Sequence, residues 1–155
     1  MVGVMGGMWW MRRRPEAWRW VLERKFGDGM KWVSGAELEA MLERGEEVVV
    51  LDARSEREQD VSMIPTAVRM DGVDVTSVDW QRIPPSAKIV VYCSVGFRSG
   101  LVVDEVRGMG YEDVGNLEGG IFGWGNQRRP LQTRRVHGFN RFFELFLDPE
   151  IRHPL

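Results

Sequence analysis

Two short apolar runs stand out from the chain and set its predicted architecture. Residues 47–51 and 88–92 are apolar after their first residue, the pattern of parallel strands that are covered on both faces. Weaker strands are predicted at 32–33, 67–70 and 114–117. Helical patterns occupy the stretches around them, with helices predicted at 15–26, 34–44, 76–82, 99–109 and 121–126 and a short one beginning at 55. This alternation favours an α/β fold: a three-layer sandwich with a mainly parallel central sheet flanked by helices, plus N- and C-terminal helical extensions.

Local signals indicate where several of these helices begin. Ser34 with Glu37, and Ser55 with Glu58, have the spacing of capping boxes, in which a hydroxyl and a carboxylate satisfy the first free amides of a helix. Pro15 suits the first turn of the N-terminal helix. We divide the chain into an N-terminal aromatic and basic helical extension (1–30), a central domain (31–131) and a C-terminal helical extension (132–155).

The composition narrows the class of protein. With 155 residues, 43% of them hydrophobic and 28% charged, the chain can form a soluble domain with its own core. A net charge of −2 gives no general attraction to nucleic acid, so no nucleic-acid partner is expected. A single cysteine excludes an internal disulfide, and two histidines are too few to suggest a metal centre. We therefore expect a cytoplasmic protein without metal or cofactor.

The one cysteine, Cys93, follows the second apolar strand and begins the loop Cys93-Ser94-Val95-Gly96-Phe97-Arg98. A thiol between the end of a buried strand and a helix N-terminus faces free amides and a positive partial charge, which stabilise a thiolate. Gly96 permits a tight turn, and Arg98 adds a forked cationic donor. A lone cysteine is more often a small buried hydrophobic residue. The glycine and arginine at short spacing favour a nucleophile instead.

Three motifs, in order and at matching spacing, resemble the rhodanese-like family over residues 32–131. Residues 51–54 with Glu58, and then 62–67, resemble an Asp-x-Arg pattern with a later Glu and a Gly-His-Ile-Pro-Gly-Ala stretch. The Cys93 loop resembles the family's active-site loop, and residues 116–124 resemble its closing Leu-x-Gly-Gly-x-x-x-Trp motif. The second stretch departs from the family pattern at Ser62, Met63 and Thr66.

The resemblance implies a sulfurtransferase. Cys93 would be the catalytic nucleophile, taking a sulfane sulfur from a small anionic donor such as thiosulfate and passing it to cyanide or a thiol. The residues expected to bind the substrate are Ser94, Val95, Gly96, Phe97, Arg98 and Ser99. A six-residue loop resembles the sulfur-transferring members, whereas the related phosphatases carry one residue more. The alternative is a rhodanese-like sulfur carrier, sensor or binding module with little turnover.

Several side chains near Cys93 have two interpretations. Asp52 and Arg54 either support the site or form a structural ion pair at a strand end, and we favour the structural role. Ser94 either donates its hydroxyl to the thiolate or only tolerates the turn, and both interpretations stay open. Arg98 is predicted to bind the donor, and Phe97 to line the rim of the pocket.

The two extensions are less informative. Tryptophans interleaved with arginines over residues 9–24 suit a membrane surface, but Glu16 and Glu23 weaken attraction to anionic lipid. We favour a helix that packs its aromatic face on the domain and leaves its charged face in water. An apolar stripe at helical spacing predicts a last helix that packs on the domain or on the N-terminal helix, with a homodimer contact as the alternative: Phe139, Phe142, Phe143, Phe146 and Leu147.

Overall fold

The central feature of the computed structural model, which describes residues 2–155 with side chains from residue 6 onward, is a five-stranded sheet. Its strands are β1 (Trp32–Val33), β2 (Val48–Asp52), β3 (Val68–Arg69), β4 (Lys88–Tyr92) and β5 (Val114–Leu117). They lie in the order β1-β5-β4-β2-β3, and every neighbouring pair is parallel. The two apolar runs of the sequence therefore form adjacent strands near the middle of the sheet.

Six α-helices accompany the sheet in the described part of the chain. They are α1 (Val2–Arg13), α2 (Glu16–Phe26), α3 (Gly35–Glu43), α4 (Glu56–Val61), α5 (Phe97–Gly108) and α6 (Gly120–Asn126). Both capping boxes form as the sequence predicts, at the starts of α3 and α4. Among residues 2–155, no helix has the length and apolar character that crossing a bilayer requires.

Alternate residues of the central strands enter two separate hydrophobic clusters, one on each face of the sheet. Val50 and Val90 lie in one cluster with residues of α3 and α6. Leu51 and Val91 lie in the other with the inner face of α5. Each fully buried side chain of this size stabilises the fold by roughly 1.5–3 kcal/mol. The three-layer α/β sandwich with a mainly parallel sheet is thus confirmed.

The predicted helix at 76–82 is replaced by two 3-10 turns, Val75–Ser77 and Trp80–Arg82. The Asp74 carboxylate accepts the N–H of Thr76, 2.9 Å away, and so caps a single turn. Local side-chain capping of this kind competes with a continuous helix.

The C-terminal extension also differs from its prediction, because it forms 3-10 turns (Phe143–Phe146 and Pro149–Ile151) rather than one α-helix. A small parallel sheet of β6 (Val136–His137) and β7 (Arg152–His153) completes it. The Asn140 side chain accepts two backbone N–H groups, which favours a tight turn over a longer helix. Phe146 packs against Trp18 of α2 with ring centroids 5.0 Å apart, so the apolar stripe does meet the N-terminal helix.

The start of α6 is fixed against the loop that follows β4. The N–H groups of Ile121 and Phe122 donate to the carbonyls of Cys93 (2.9 Å) and Ser94 (3.1 Å). Gly120 has a φ of +56°, and a Cβ there would lie 2.5 Å from both carbonyl oxygens. This close approach of two backbones requires glycine at position 120.

We expect Gly120→Ala to lower the free energy of unfolding by about 2 kcal/mol or more, from left-handed strain and the backbone clash. Denaturant unfolding measures the change. Gly108→Ala is the matched control, since it lies in α5 with open space around it, and it should leave stability unchanged or raise it by up to about 1 kcal/mol. Equal stabilities of the two variants would contradict the role assigned to Gly120.

Candidate active site

Cys93 lies where the carboxyl end of β4 meets the N-terminus of α5, as the sequence predicts. Its side chain is 1% exposed. The sulfur accepts the backbone N–H of Gly96 at 3.2 Å, and Gly96 adopts a φ of +117° at the start of the helix. The first amides of a helix have no partners within the helix, so this end can hold negative charge on or beside the sulfur.

A hydroxyl near the sulfur belongs to Ser99. Its hydroxyl lies 3.4 Å from the Cys93 sulfur and 2.7 Å from the Oδ1 of Asn116. Asn116 is fully buried on β5, and its amide donates to the Gly96 carbonyl at 2.8 Å. Asn116 on β5 therefore contacts Gly96 within the loop and Ser99 after it. In the sequence, Asn116 belongs to the closing motif, and no local pattern indicates its part in the site.

Glu58 of α4 ties the loop to the next helix. Its carboxylate accepts two hydrogen bonds from the Arg98 guanidinium, both 2.8 Å long, and one from the Ser94 hydroxyl at 3.1 Å. Burial raises the pKa of Glu58, but hydrogen bonding and positive charge from Arg98, with hydrogen bonds from Ser55, outweigh it and lower the pKa to about 2. In the sequence, Glu58 belongs to a capping box and a family motif, and neither pattern predicts its bonds to Arg98 and Ser94.

These contacts correct the interpretation of Ser94. Its hydroxyl donates to Glu58 and accepts from Arg98 at 2.9 Å, so it is not directed at the thiolate. Strand order explains the difference, because β2 lies beside β4 and brings α4 against the first residues of the loop. The hydroxyl that does approach the sulfur belongs to Ser99.

The side chain of Arg98 is half-buried, at 24% exposed. Burial lowers the pKa of Arg98. The hydrogen bonds to Glu58 and the negative charges of Glu58 and Cys93 raise it by more, so the pKa lies above its usual value. The Arg98 Cζ also lies 4.7 Å from the ring centroid of Phe139, a residue of the C-terminal extension. Arg98 thus keeps a positive charge beside the sulfur while its hydrogen bonds hold the loop.

Asp52 and Arg54 form a fully buried ion pair at the end of β2. Arg54 donates to both carboxylate oxygens of Asp52, at 2.9 and 2.7 Å, and to the backbone carbonyls of Glu58 and Ser62. The Tyr92 hydroxyl donates to Asp52 at 2.6 Å. The pair is thus paired and hydrogen-bonded as a buried charge requires, and it fixes both ends of α4 without touching Cys93.

The remaining loop residues with side chains, Val95 and Phe97, are apolar. Val95 is buried in the core, and Phe97 is 43% exposed at the outer edge of the loop. Phe97 contacts α2, with its ring centroid 6.1 Å from that of Phe26 and 5.3 Å from the Lys25 ammonium nitrogen. Within residues 2–155, no three histidine, cysteine or carboxylate side chains converge as metal ligands would.

Stability should depend on pH through Glu58. A carboxyl whose pKa is lowered from 4.5 to about 2 stabilises the fold above pH 4.5, and this contribution is lost as the pH falls toward 2. We expect Glu58→Gln to lower stability at neutral pH by roughly 2–3 kcal/mol and to flatten the pH dependence below 4.5. Urea unfolding of the wild type and the variant at neutral pH and near pH 3 measures both effects.

Glu105→Gln, on the exposed face of α5, is the control and should keep the pH dependence of the wild type. If the stability of Glu58→Gln falls below pH 4.5 as steeply as that of the wild type, the Glu58–Arg98 pair does not contribute to folding stability.

Comparison with known proteins agrees with this geometry. The model of the family described as Rhodanese-like domain matches residues 34–127. The putative sulfurtransferase YtwF of Bacillus subtilis is 30% identical over 101 residues, covering 65% of this chain and 96% of that protein. A tRNA uridine(34) hydroxylase of Bacillus cereus is 38% identical over 89 residues, covering 52% of this chain and 27% of that protein. The chain spans about a quarter of the length of the longer curated relatives that it matches.

The fold is also that of a solved enzyme. The crystal structure of thiosulfate sulfurtransferase from Pseudomonas aeruginosa superposes with a TM-score of 0.63 at 24% identity, covering 87% of this chain and 26% of that one. The family match covers more than half of the chain and includes β2, α4, the Cys93 loop and the start of α6. Relatives of this chain include proteins named as sulfurtransferases. The chain therefore belongs to the rhodanese-like family.

Proposed function

We propose that the protein is a sulfurtransferase that carries a sulfane sulfur as a persulfide on Cys93. The observation that carries the proposal is the position of the sulfur: it accepts the Gly96 N–H inside a six-residue loop at the N-terminus of α5. The sulfurtransferases among its relatives support the same chemistry. The proposed donor is a small anion such as thiosulfate, and the proposed acceptor is cyanide or a thiol.

The reaction consists of two displacements at sulfur. The Cys93 thiol first loses its proton to solvent, and the thiolate attacks the outer sulfur of thiosulfate. A sulfur–sulfur bond forms to Cys93, the bond within thiosulfate breaks, and sulfite leaves with the electron pair. The acceptor then attacks the terminal sulfur of the persulfide, which yields thiocyanate from cyanide and returns the thiolate. No second cysteine is needed, because the acceptor comes from outside the chain.

The loop provides the groups that this charge movement requires. The first amides of α5 can receive the oxygens of the donor and the terminal sulfur of the persulfide. Gly96 directs an N–H toward the Cys93 sulfur, and the Ser99 hydroxyl oxygen lies 3.4 Å from it. Arg98 contributes positive charge, and its bonds to Glu58 preserve the shape of the loop.

One observation favours the alternative, a sulfur carrier, sensor or binding module with little turnover. Cys93 is 1% exposed, so a bulky acceptor cannot reach the sulfur without movement of the surrounding loop. Steady production of thiocyanate from thiosulfate and cyanide distinguishes the two. An enzyme forms many thiocyanate molecules per protein, whereas a carrier forms about one and stops.

We expect thiosulfate to add one sulfur atom to the intact protein, and Cys93→Ser to remove this adduct because no other thiol is present. Intact-mass spectrometry before and after treatment measures the adduct, and cyanide should return the mass to its starting value. Failure of thiosulfate and of other sulfane donors to produce an adduct, or an adduct that persists in Cys93→Ser, would disprove persulfide chemistry at this site.

Two buried serines of the loop allow a matched comparison. Ser99→Ala removes the hydroxyl next to the sulfur and should slow adduct formation roughly tenfold to hundredfold. Ser94→Ala removes a hydroxyl bonded to Glu58 and Arg98 and should slow the same step less. Timed mass spectrometry at fixed thiosulfate compares the two rates. A larger loss in Ser94→Ala would reverse the assignment of these two hydroxyls.

A further inference from the structure

The outer face of the N-terminal extension exposes large aromatic side chains. Trp9, Trp10 and Trp20 are 58%, 40% and 72% exposed, whereas Trp18 is 9% exposed. The expectation that the aromatic face of this segment packs on the domain therefore holds for Trp18 and is wrong for the other three. Isolated exposed apolar residues are common, but three neighbouring indoles form a surface that calls for a partner.

The packing of both helices keeps these indoles pointing outward. Met8 and Met11 hold the opposite side of α1 against the core, and Trp18 and Leu22 do the same for α2. The rings of Trp10 and Trp20 lie 6.5 Å apart, which joins the exposed residues of the two helices into one face.

Cations accompany the indoles on this face. The guanidinium of Arg13 lies 5.8 Å from the ring of Trp9, and that of Arg14 lies 5.8 Å from the ring of Trp10. The sequence of α1 contains no acidic residue. Basic residues outnumber acidic ones within 1–30, although the whole chain carries a net charge of −2. Glu16 lies 3.7 Å from Arg14 and offsets part of this charge, but an excess of positive charge remains beside the exposed indoles.

We propose that this face, defined by Trp9, Trp10, Arg13, Arg14 and Trp20, binds the surface of an anionic phospholipid membrane. Indole rings are favoured at the headgroup layer, where one part of the ring meets hydrocarbon and its N–H meets water. Guanidinium groups beside them attract anionic headgroups. A symmetric contact between two copies of this face would bring its guanidinium groups together, so like-charge repulsion favours an anionic membrane over a second copy of the chain.

Membrane binding through this face would hold the Cys93 loop near the membrane. The inner side of α2 packs on that loop, since Leu22 lies 3.0 Å from where a Cβ at Gly96 would be, and Phe26 contacts Phe97. The inference does not depend on sulfur transfer, because it rests on the outward face alone.

Co-sedimentation of the full chain with vesicles tests the proposal. We expect binding to vesicles of phosphatidylcholine and phosphatidylglycerol at low salt, weaker binding to phosphatidylcholine alone, and weakening by added salt. The double substitution Trp9→Ala and Trp20→Ala should reduce binding by about tenfold or more. The matched control is the double substitution Val68→Ala and Val73→Ala. It removes exposed apolar groups in the edge strand β3 and just after it, and it should leave binding unchanged.

Brominated lipids give a second measurement on the unaltered protein, because inserted indoles should lose fluorescence. Circular dichroism melting verifies that both double variants are folded. Absence of vesicle binding, or equal binding by the tryptophan variant, would overturn the proposal. Sedimentation velocity tests for a second copy of the chain. Self-association that the tryptophan substitutions abolish, without any vesicle binding, would overturn the proposal in favour of a dimer.

Discussion

The buried ion pair between Glu58 and Arg98 is the interaction on which the geometry of the cysteine loop depends. A carboxylate at 2% exposure costs free energy unless its charge and lone pairs are satisfied. Here the guanidinium, the Ser94 hydroxyl and the Ser55 cap satisfy them together. Because Arg98 lies in the first turn of α5 and Glu58 in α4, the pair fixes the loop relative to the neighbouring helix. Behind it, Asp52 and Arg54 fix α4 relative to β2.

Backbone groups of the loop are divided between two tasks. Its carbonyls at Cys93 and Ser94 accept amides from α6, so they point away from the sulfur. Its amide at Gly96 points toward the sulfur, at the positive end of α5. A loop with two carbonyls turned outward and the Gly96 amide turned toward the sulfur suits the proposed anionic donor and persulfide. This division explains why a glycine with positive φ is needed both in the loop and at the start of α6.

The two extensions border the site as well as enlarging the core. Phe139 stacks on Arg98 from the C-terminal side, and α2 contacts Phe97 from the N-terminal side. Both contacts involve residues outside the central α/β unit, so the two extensions pack against the residues that follow Gly96. The outward face of α1 and α2 then exposes indoles beside guanidinium groups.

The sequence by itself determined the features that depend on near neighbours along the chain. Apolar runs predicted β2 and β4, hydroxyl and carboxylate spacing predicted the caps of α3 and α4, and the pattern after β4 predicted that Cys93 lies between a strand end and a helix N-terminus. Tertiary structure decided the second role of Glu58, the partner of Ser94 and the link from Ser99 to Asn116. Arg98 and Glu58 are 40 residues apart in the chain, and only the strand order β5-β4-β2 brings their elements together. The C-terminal phenylalanines had helical spacing, but contacts with Trp18 and the turn at Asn140 determined their conformation, since packing overrides weak local preference.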